Sequence, residues 1–406
     1  MQTDTSERNV RQELFDEGRR ILHFWRDRVL LQDGGFHGEI DHTGRVKPDA
    51  DRGLILAARI LWTFSRAVAS GFEATAENRA QADKSYAFLV EHFWDEEYLG
   101  FYWMLNAKHE PVNDRKHIYA QSFAIYALSE YYAATGKLDA LVRAQLTHQL
   151  IERYARDIVS GGYLESFTRA WTSDDDLRLS EVDLAEAKSM NTHLHILEAY
   201  TRLYQVWPNE ELSGRLIHLL DVCKNHILDQ ETYHYHLFFD QSWTVKSDLI
   251  SYGHDIEGSW LMLEAAEALG HPDLIDTFAE IAVNMVDVTL AQGLDADGGL
   301  MNEGHGTQVV DSDKHWWPQA EALVGCINAY QITGAKRYLS AAQSIWSFIV
   351  EKMIDRTLGE WFWKVNRAGV PDAEKPIVEP WKCPYHNTRA MIEGWQRLDC
   401  TSRDMV

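Results

Sequence analysis

Cysteine, positive charge and long apolar runs are all scarce along these 406 residues. The four cysteines, Cys223, Cys326, Cys383 and Cys400, include no C-x-x-C pair, which argues against a disulfide framework or a thiolate zinc site and points to a reducing compartment. Lysine and arginine number 39 against 62 acidic residues, a formal charge of -23, so a phosphate backbone or an anionic membrane surface would be repelled. Nucleic acid and membrane are not expected as partners. The most apolar stretch, Leu54 to Phe72, is broken by Arg59 and Arg66 and reads as a buried helix rather than a membrane span. The N-terminal stretch mixes both charges and lacks the apolar core of an export signal, so the expected location is the cytoplasm. Phosphate-cradling and dinucleotide motifs are missing, as is H-E-x-x-H, and no nucleotide cofactor is indicated.

Aromatic side chains, by contrast, are abundant: 15 Trp, 17 Tyr and 15 Phe, many beside His, Asn or acidic residues. That mixture suits a sugar platform, and also a large aromatic core. Glycine-aromatic turns recur near positions 34, 100, 161, 298 and 359, with a related Tyr235-His236-Leu237-Phe238 near 237. Before each turn lies an amphipathic helical pattern, and after it, beyond a polar linker, a second and more apolar one. The first set covers 7–31, 76–94, 139–158, 210–228, 273–291 and 336–354; the second covers 52–70, 115–135, 187–207, 252–270, 315–334 and 383–398. Helix pairs at a near-constant period bury their apolar faces against neighbouring pairs. The expectation is an all-α (α/α)6 barrel, one domain over 1–406, with the second helices inside and short hairpins or loops at one mouth. An open solenoid of the same pairs is the alternative.

The starts of the inner helices collect the unusual polar residues: Tyr119 and Gln121 in KHIYAQSF, Asn191 and His195 in KSMNTHLHILEAY, and His254 and Glu257 in GHDIEGSW. Two further starts supply Trp316, Trp317 and Glu321 in HWWPQAEA, and Trp381, His386 and Arg389 in PWKCPYHNTR. Arg59, in the second turn of the first inner helix, belongs to the same layer, and in a closed ring all of these converge on one mouth. Pro318 and Pro384 suit first helical positions, which puts His386 in a first turn where the helix N-terminus disfavours imidazolium. Glu257, one turn beyond His254, is placed to orient it. A lone helical histidine is more often a hydrogen-bonded core residue than a catalyst, but three at equivalent points of a repeat argue for catalysis. Trp316, Trp317 and Trp381 are open to packing or to sugar stacking, and a buried Arg59 needs an acidic or a ligand partner. The His193-x-His195 and His234-x-His236 spacings place imidazoles on different helix faces or in a turn, so no metal site is expected.

The segments GGFHGEID, AARILWTFS, IYAQSFAIYALSEYY, KSMNTHLHILEAY, GHDIEGSWL, WWPQAEAL and PWKCPYHNTR occur in the order found in the N-acylglucosamine 2-epimerase superfamily, and the chain most resembles its cellobiose 2-epimerases over essentially its whole length. The resemblance implies an (α/α)6 barrel working without metal or nucleotide. It also implies that His254 and His386 are an acid/base pair, that His195 stands beside the sugar's reducing end, and that Arg59, Tyr119 and Asn191 hold the reactive oxygens. Glu257 and Glu321 match carboxylates partnering the histidines, and Trp317 and Trp381 match aromatic walls. The implied reaction interconverts reducing-end glucose and mannose of β-1,4-linked disaccharides, cellobiose to glucosyl-mannose and lactose to epilactose, through a cis-enediolate. Mannose 2-epimerases and aldose-ketose isomerases of the same superfamily share nearly the same residues and leave a monosaccharide substrate open. A glycosidase using Glu257 and Glu321, or a non-catalytic carbohydrate-binding barrel, are the readings of another class. The expected partner is a small-molecule sugar, and the expected assembly a monomer or weak homodimer.

Overall fold

Leu212, Leu216, Leu219 and Leu220 form one buried stripe while Glu210 and Glu211 stay in the first turn, the pattern of a helix with a single covered face. Other segments, such as IYAQSFAIYALSEYYAAT, are buried on nearly every side and are stable only when surrounded. A computed structural model describes residues 3–401 and shows the two kinds alternating. The outer helices are α1 (Thr3–Phe24), α3 (Ala76–Phe88), α5 (Leu138–Tyr154), α7 (Glu210–Val222), α9 (Pro272–Gly293) and α11 (Lys336–Phe348). The inner ones are α2 (Leu54–Ala69), α4 (Ile118–Thr135), α6 (Met190–Val206), α8 (Tyr252–Leu269), α10 (Trp316–Thr333) and α12 (Tyr385–Thr401). These are the twelve α-helices among the described residues, and none is long and apolar enough to cross a membrane.

Each inner helix packs on the next, α2 on α4, α4 on α6 and so on to α12, which returns to α2. The outer helices lie against them from outside, α3 on α2, α5 on α4, and finally α1 on α12. The fold is thus an (α/α)6 barrel, and the open solenoid is excluded. A backbone seam completes the closure: Ile40 N–H donates to Val378 O at 2.9 Å, and Ile377 N–H donates to Ile40 O at 2.9 Å.

The same stitch recurs around the ring. The residues just before an inner helix pair antiparallel with a short strand of the next repeat: Arg52–Gly53 with Met104–Leu105, Lys116–His117 with Ser166–Phe167, Lys188–Ser189 with Phe238–Phe239, Leu249–Ser251 with Glu303–His305, and Lys314–His315 with Lys364–Val365. Buried lysines peg these starts to the preceding turn, Lys116 to Asp95 at 3.0 Å, Lys188 to Asp157 at 2.9 Å and Lys314 to Asp297 at 2.6 Å. Such pairs hold position because removing one partner would strand a buried charge.

Several boundaries differ from the sequence reading. Four outer helices run on into a wider π turn, at Trp25–Val29, Leu89–Phe93, Cys223–Ile227 and Ile349–Met353, which feeds the chain into its hairpin. The third outer helix stops at Tyr154, short of the expected 158. In the fourth repeat the equivalent turn is not at 237: it spans Asp229 to Tyr235, with Tyr233 at φ 59° in the place held by Leu99 at φ 63° in the second repeat and by glycine in others, such as Gly359 at φ 96°. Pro318 stands third in α10 rather than first, and Pro384 precedes α12, its carbonyl accepting from Thr388 N–H at 3.1 Å.

Candidate active site

Tyr119, Asn191, Trp317 and His386 all stand second in their inner helices, His254 stands third, and Arg59, His195, Glu257 and Glu321 all stand sixth. Positions four apart share a helix face, so one register supplies both a rim and a deeper layer of the same mouth. The fourth position does something else. Gln121 donates to Phe101 O at 2.8 Å and accepts from Phe101 N–H at 2.9 Å, and Gln319 holds Leu300 in the same way. His193 accepts Tyr163 N–H at 2.8 Å, and Asp255 accepts Tyr235 N–H at 2.8 Å. Gln121, grouped above with the site layer, is therefore a clamp on the hairpin behind it.

The deeper layer is a connected ionic network. His386 Nδ1 lies 2.7 Å from Glu321 Oε1 and 3.8 Å from Glu257 Oε1. Arg389 donates to Glu257 at 2.6 Å and to Glu321 at 2.7 Å, and also to Glu198. Glu198 in turn lies 2.9 Å from His195 Nδ1 and accepts from the Tyr385 hydroxyl. Trp260 Nε1–H donates to the second oxygen of Glu321 at 3.2 Å. A carboxylate acceptor on Nδ1 selects the tautomer that leaves Nε2 as the free lone pair on His195 and His386.

Glu257 does not orient His254. The His254 Nδ1 meets Ser251 Oγ at 2.7 Å, because helical side chains lean toward the N-terminus and Ser251 is the residue preceding α8. Its ring packs on Trp317 with centroids 4.6 Å apart, and Trp317 touches the His386 ring at 5.6 Å. Gly253 makes this possible, since a Cβ there would come within 2.5 Å of the Trp317 ring. Burial pushes the His254 imidazolium down to about 3, with His195 adding to the effect. His386 is also held well below the ordinary range, first by burial and then by Arg59 and Arg389. The expected direction is correct, but the cause is burial and nearby guanidinium charge rather than the helix terminus. Burial and the adjacent Glu321 carry the Glu257 carboxyl up to about 7.

Arg59 is buried without any carboxylate partner among the described residues. It donates to the Tyr119 hydroxyl at 2.9 Å and approaches Cys383 Sγ at 3.6 Å, while its guanidinium lies over Phe123 at 4.2 Å and Tyr385 at 5.0 Å. Its Nε has no acceptor. His195 packs against the rings of Tyr119 at 5.0 Å and Phe123 at 4.8 Å. Trp381 faces Tyr119 at 6.2 Å and Trp103 at 6.5 Å, forming an aromatic wall. Trp316 packs instead on Trp363 at 5.0 Å. Asn191 opens the same face, its Oδ1 buried without a donor.

Such a mouth combines imidazoles, an uncompensated guanidinium and aromatic walls. The N-acylglucosamine 2-epimerase (GlcNAc 2-epimerase) family profile matches residues 34–390. The chain belongs to the N-acylglucosamine 2-epimerase family. Similar proteins include the cellobiose 2-epimerase of Bacteroides fragilis, 43% identical over 92% of this chain and 95% of that one. That of Dictyoglomus turgidum is 38% identical over 96% and 99%. The solved cellobiose 2-epimerase of Bacillus thermoamylovorans superposes with a TM-score of 0.90 at 37% identity, over 95% of this chain and 100% of that one.

The ten residues that the resemblance gave roles lie in this region of the N-acylglucosamine 2-epimerase barrel, whereas Gln121 grips a hairpin and Trp316 packs on Trp363. Sequence reasoning missed Glu198 and Ser251 and gave Arg389 no role. Glu198 stands three residues after His195 and Ser251 three before His254, helical spacings that carry the signal. Glu257, Glu321 and His386 also bring three donor atoms within 4.8 Å of one another. The donors come from three different helices and were invisible as a motif. Arg389 already bonds both carboxylates and supplies the positive charge a metal would bring.

Proposed function

We propose that this chain is a sugar 2-epimerase acting on the reducing-end residue of β-1,4-linked disaccharides, converting cellobiose to glucosyl-mannose and lactose to epilactose. The observation that carries the reading is the pair of imidazoles, half-buried His254 and buried His386, both against Trp317 beside an arginine that lacks an acid among the described residues. The relatives named cellobiose 2-epimerase, at 38–43% identity over most of the chain, support the disaccharide.

Epimerisation needs ring opening, loss of the proton on C2 of the open aldehyde, and return of a proton to the opposite face. In this mechanism one histidine accepts the C2 proton through Nε2, and the C–H electron pair moves into the enediolate. The opposed histidine takes up a solvent proton, which the negative charge of the enediolate favours, delivers it to the other face of C2 and regenerates the aldehyde, while the first histidine returns its proton to solvent. No electrons are gained or lost overall. When His386 becomes imidazolium, its new charge faces Glu321. Arg59, Tyr119, Asn191 and His195 bind O1 and O2, where negative charge develops, and Arg59 is free to do so because no carboxylate among the described residues neutralises it. Trp317 and Trp381 supply apolar walls for the sugar rings. The glycosidase alternative loses its geometry: Glu257 and Glu321 bond the same guanidinium nitrogen instead of flanking a space for a glycosidic bond.

The test is NMR of the purified protein with cellobiose, lactose, glucose and mannose in D2O after treatment with a chelator. Glucosyl-mannose carrying deuterium at C2 is expected from cellobiose, and His254→Ala or His386→Ala should lower its rate by at least about 100-fold in folded protein. Turnover of monosaccharides alone would overturn the disaccharide reading. Free glucose released from cellobiose would point to hydrolysis, and binding without exchange would leave a carbohydrate-binding barrel.

A further inference from the structure

Glu165 touches none of the residues assigned above, yet it joins two helices that carry them. Its backbone carbonyl accepts Ile118 N–H at 2.9 Å, fixing the first residue of α4 immediately before Tyr119. Its side chain reaches the neighbouring start: Oε1 accepts Ser189 N–H at 2.6 Å, and Oε2 accepts the Thr192 hydroxyl at 2.5 Å. Asn191 lies between those two residues, and His195 is one turn on. At the corresponding place in other repeats the backbone contact is made by Trp103 to Leu54, Leu237 to Met190 and Trp363 to Trp316, all with side chains that bear no charge.

A buried carboxyl is a costly residue at such a place. No cation pairs with Glu165 among the described residues, its carboxyl is pushed up to about 8 first by burial, and the charged neighbour that contributes is the acidic Asp183. The fold meets the same backbone requirement elsewhere with leucine and tryptophan, so the carboxyl is not needed to build a repeat. What it adds is a rigid link between the starts of α4 and α6, the two helices presenting Tyr119, Asn191 and His195.

We propose that Glu165 is a positioning residue that sets Tyr119 and Asn191 relative to each other on the oxygens of the substrate. This rests on the epimerase reading above. Small displacements of groups that stabilise a transition state cost rate steeply, up to about 100-fold for about 1 Å.

The experiment compares the wild type with Glu165→Ala, Glu165→Gln and Thr192→Val on whichever of cellobiose, lactose, glucose or mannose the wild type turns over, measuring kcat, KM, C2 exchange in D2O and the melting temperature. Glu165→Ala is expected to lose about 10-fold or more in kcat with C2 exchange falling in parallel. Glu165→Gln, which keeps an acceptor for Ser189, is expected to recover most of it. Thr192→Val removes one hydroxyl and is expected to lower kcat severalfold while folding normally, which serves if Glu165→Ala proves insoluble. A lower melting temperature with kcat and C2 exchange within about twofold of wild type in all three variants would make Glu165 structural and overturn the inference alone. A wild type inactive on all four sugars overturns both readings.

Discussion

Histidines decide much of how this protein responds to pH, and six of the 18 are buried. Burial takes His117, His193 and His254 down to about 3 and His148 to about 4. In the unfolded chain each would take a proton near pH 6.5, so between that value and the folded ones the unfolded state binds more protons. Stability is therefore lost as pH falls through this window, by up to about 1.4 kcal/mol per pH unit for each histidine. Glu165 and Glu257, pushed up to about 8 and about 7, act in the opposite sense and give up stability as pH rises from the ordinary carboxylate range through those values. His315, at about 4, and His386 join the histidine side, and Glu264 and Glu379, at about 7, join the carboxyls, so six histidines oppose four carboxyls and the urea midpoint is expected to fall modestly from pH 6.5 to 4.5. His148→Phe, which fills a site against Tyr200 far from the mouth, should make that slope shallower; a slope unchanged in this variant would remove His148 from the account. The individual histidines were legible in the sequence, whereas Glu198, three residues after His195, was missed although its helical spacing carried the signal. The link from His386 through Glu321 to Arg389 and back to Glu198 was not, because its members lie on different helices and meet only when the ring closes.

At the level of elements, the reading of twelve helices held because the inner ones are apolar on nearly all sides and the outer ones are striped. Three inner helices stop where Gly136, Gly270 and Gly334 adopt positive φ, a stop signal visible in sequence. The π turns left no such signal, and the fourth hairpin was misplaced because Tyr233 and His234 stand where the other hairpins have glycine or a small turn. Helix register then turned a list of polar residues into a site: second and sixth positions face the axis, while the fourth grips the hairpin in α4, α6, α8 and α10. Gly253 is the second-position residue of α8, and its missing side chain is the space occupied by Trp317. Gly253→Ala is accordingly expected to push Trp317 off His254 and to lower epimerisation by about 10-fold or more with the helix intact. Activity assays beside circular dichroism would check this, and an unaffected rate would mean that the Trp317 contact does not matter to the chemistry.

For the molecule as a whole, the Ile40–Val378 seam is, among the described residues, the place where the first repeat is stitched by its backbone to the segment leading into the last helix. Ile40→Pro deletes the N–H that Val378 O accepts and leaves that carbonyl buried without a donor, a loss expected to cost about 1–3 kcal/mol. Equilibrium denaturation in urea would measure it; stability equal to wild type would show that helix packing alone holds the ring shut. The seam also orders events in time. Arg59 is among the first residues of the site to leave the ribosome and His386 among the last, so a nascent chain carries half of a reaction centre for most of its synthesis. Catalysis is switched on by a topological event, the meeting of two distant stretches of one chain. The appearance of turnover during refolding would then be a clock for closure of the circle.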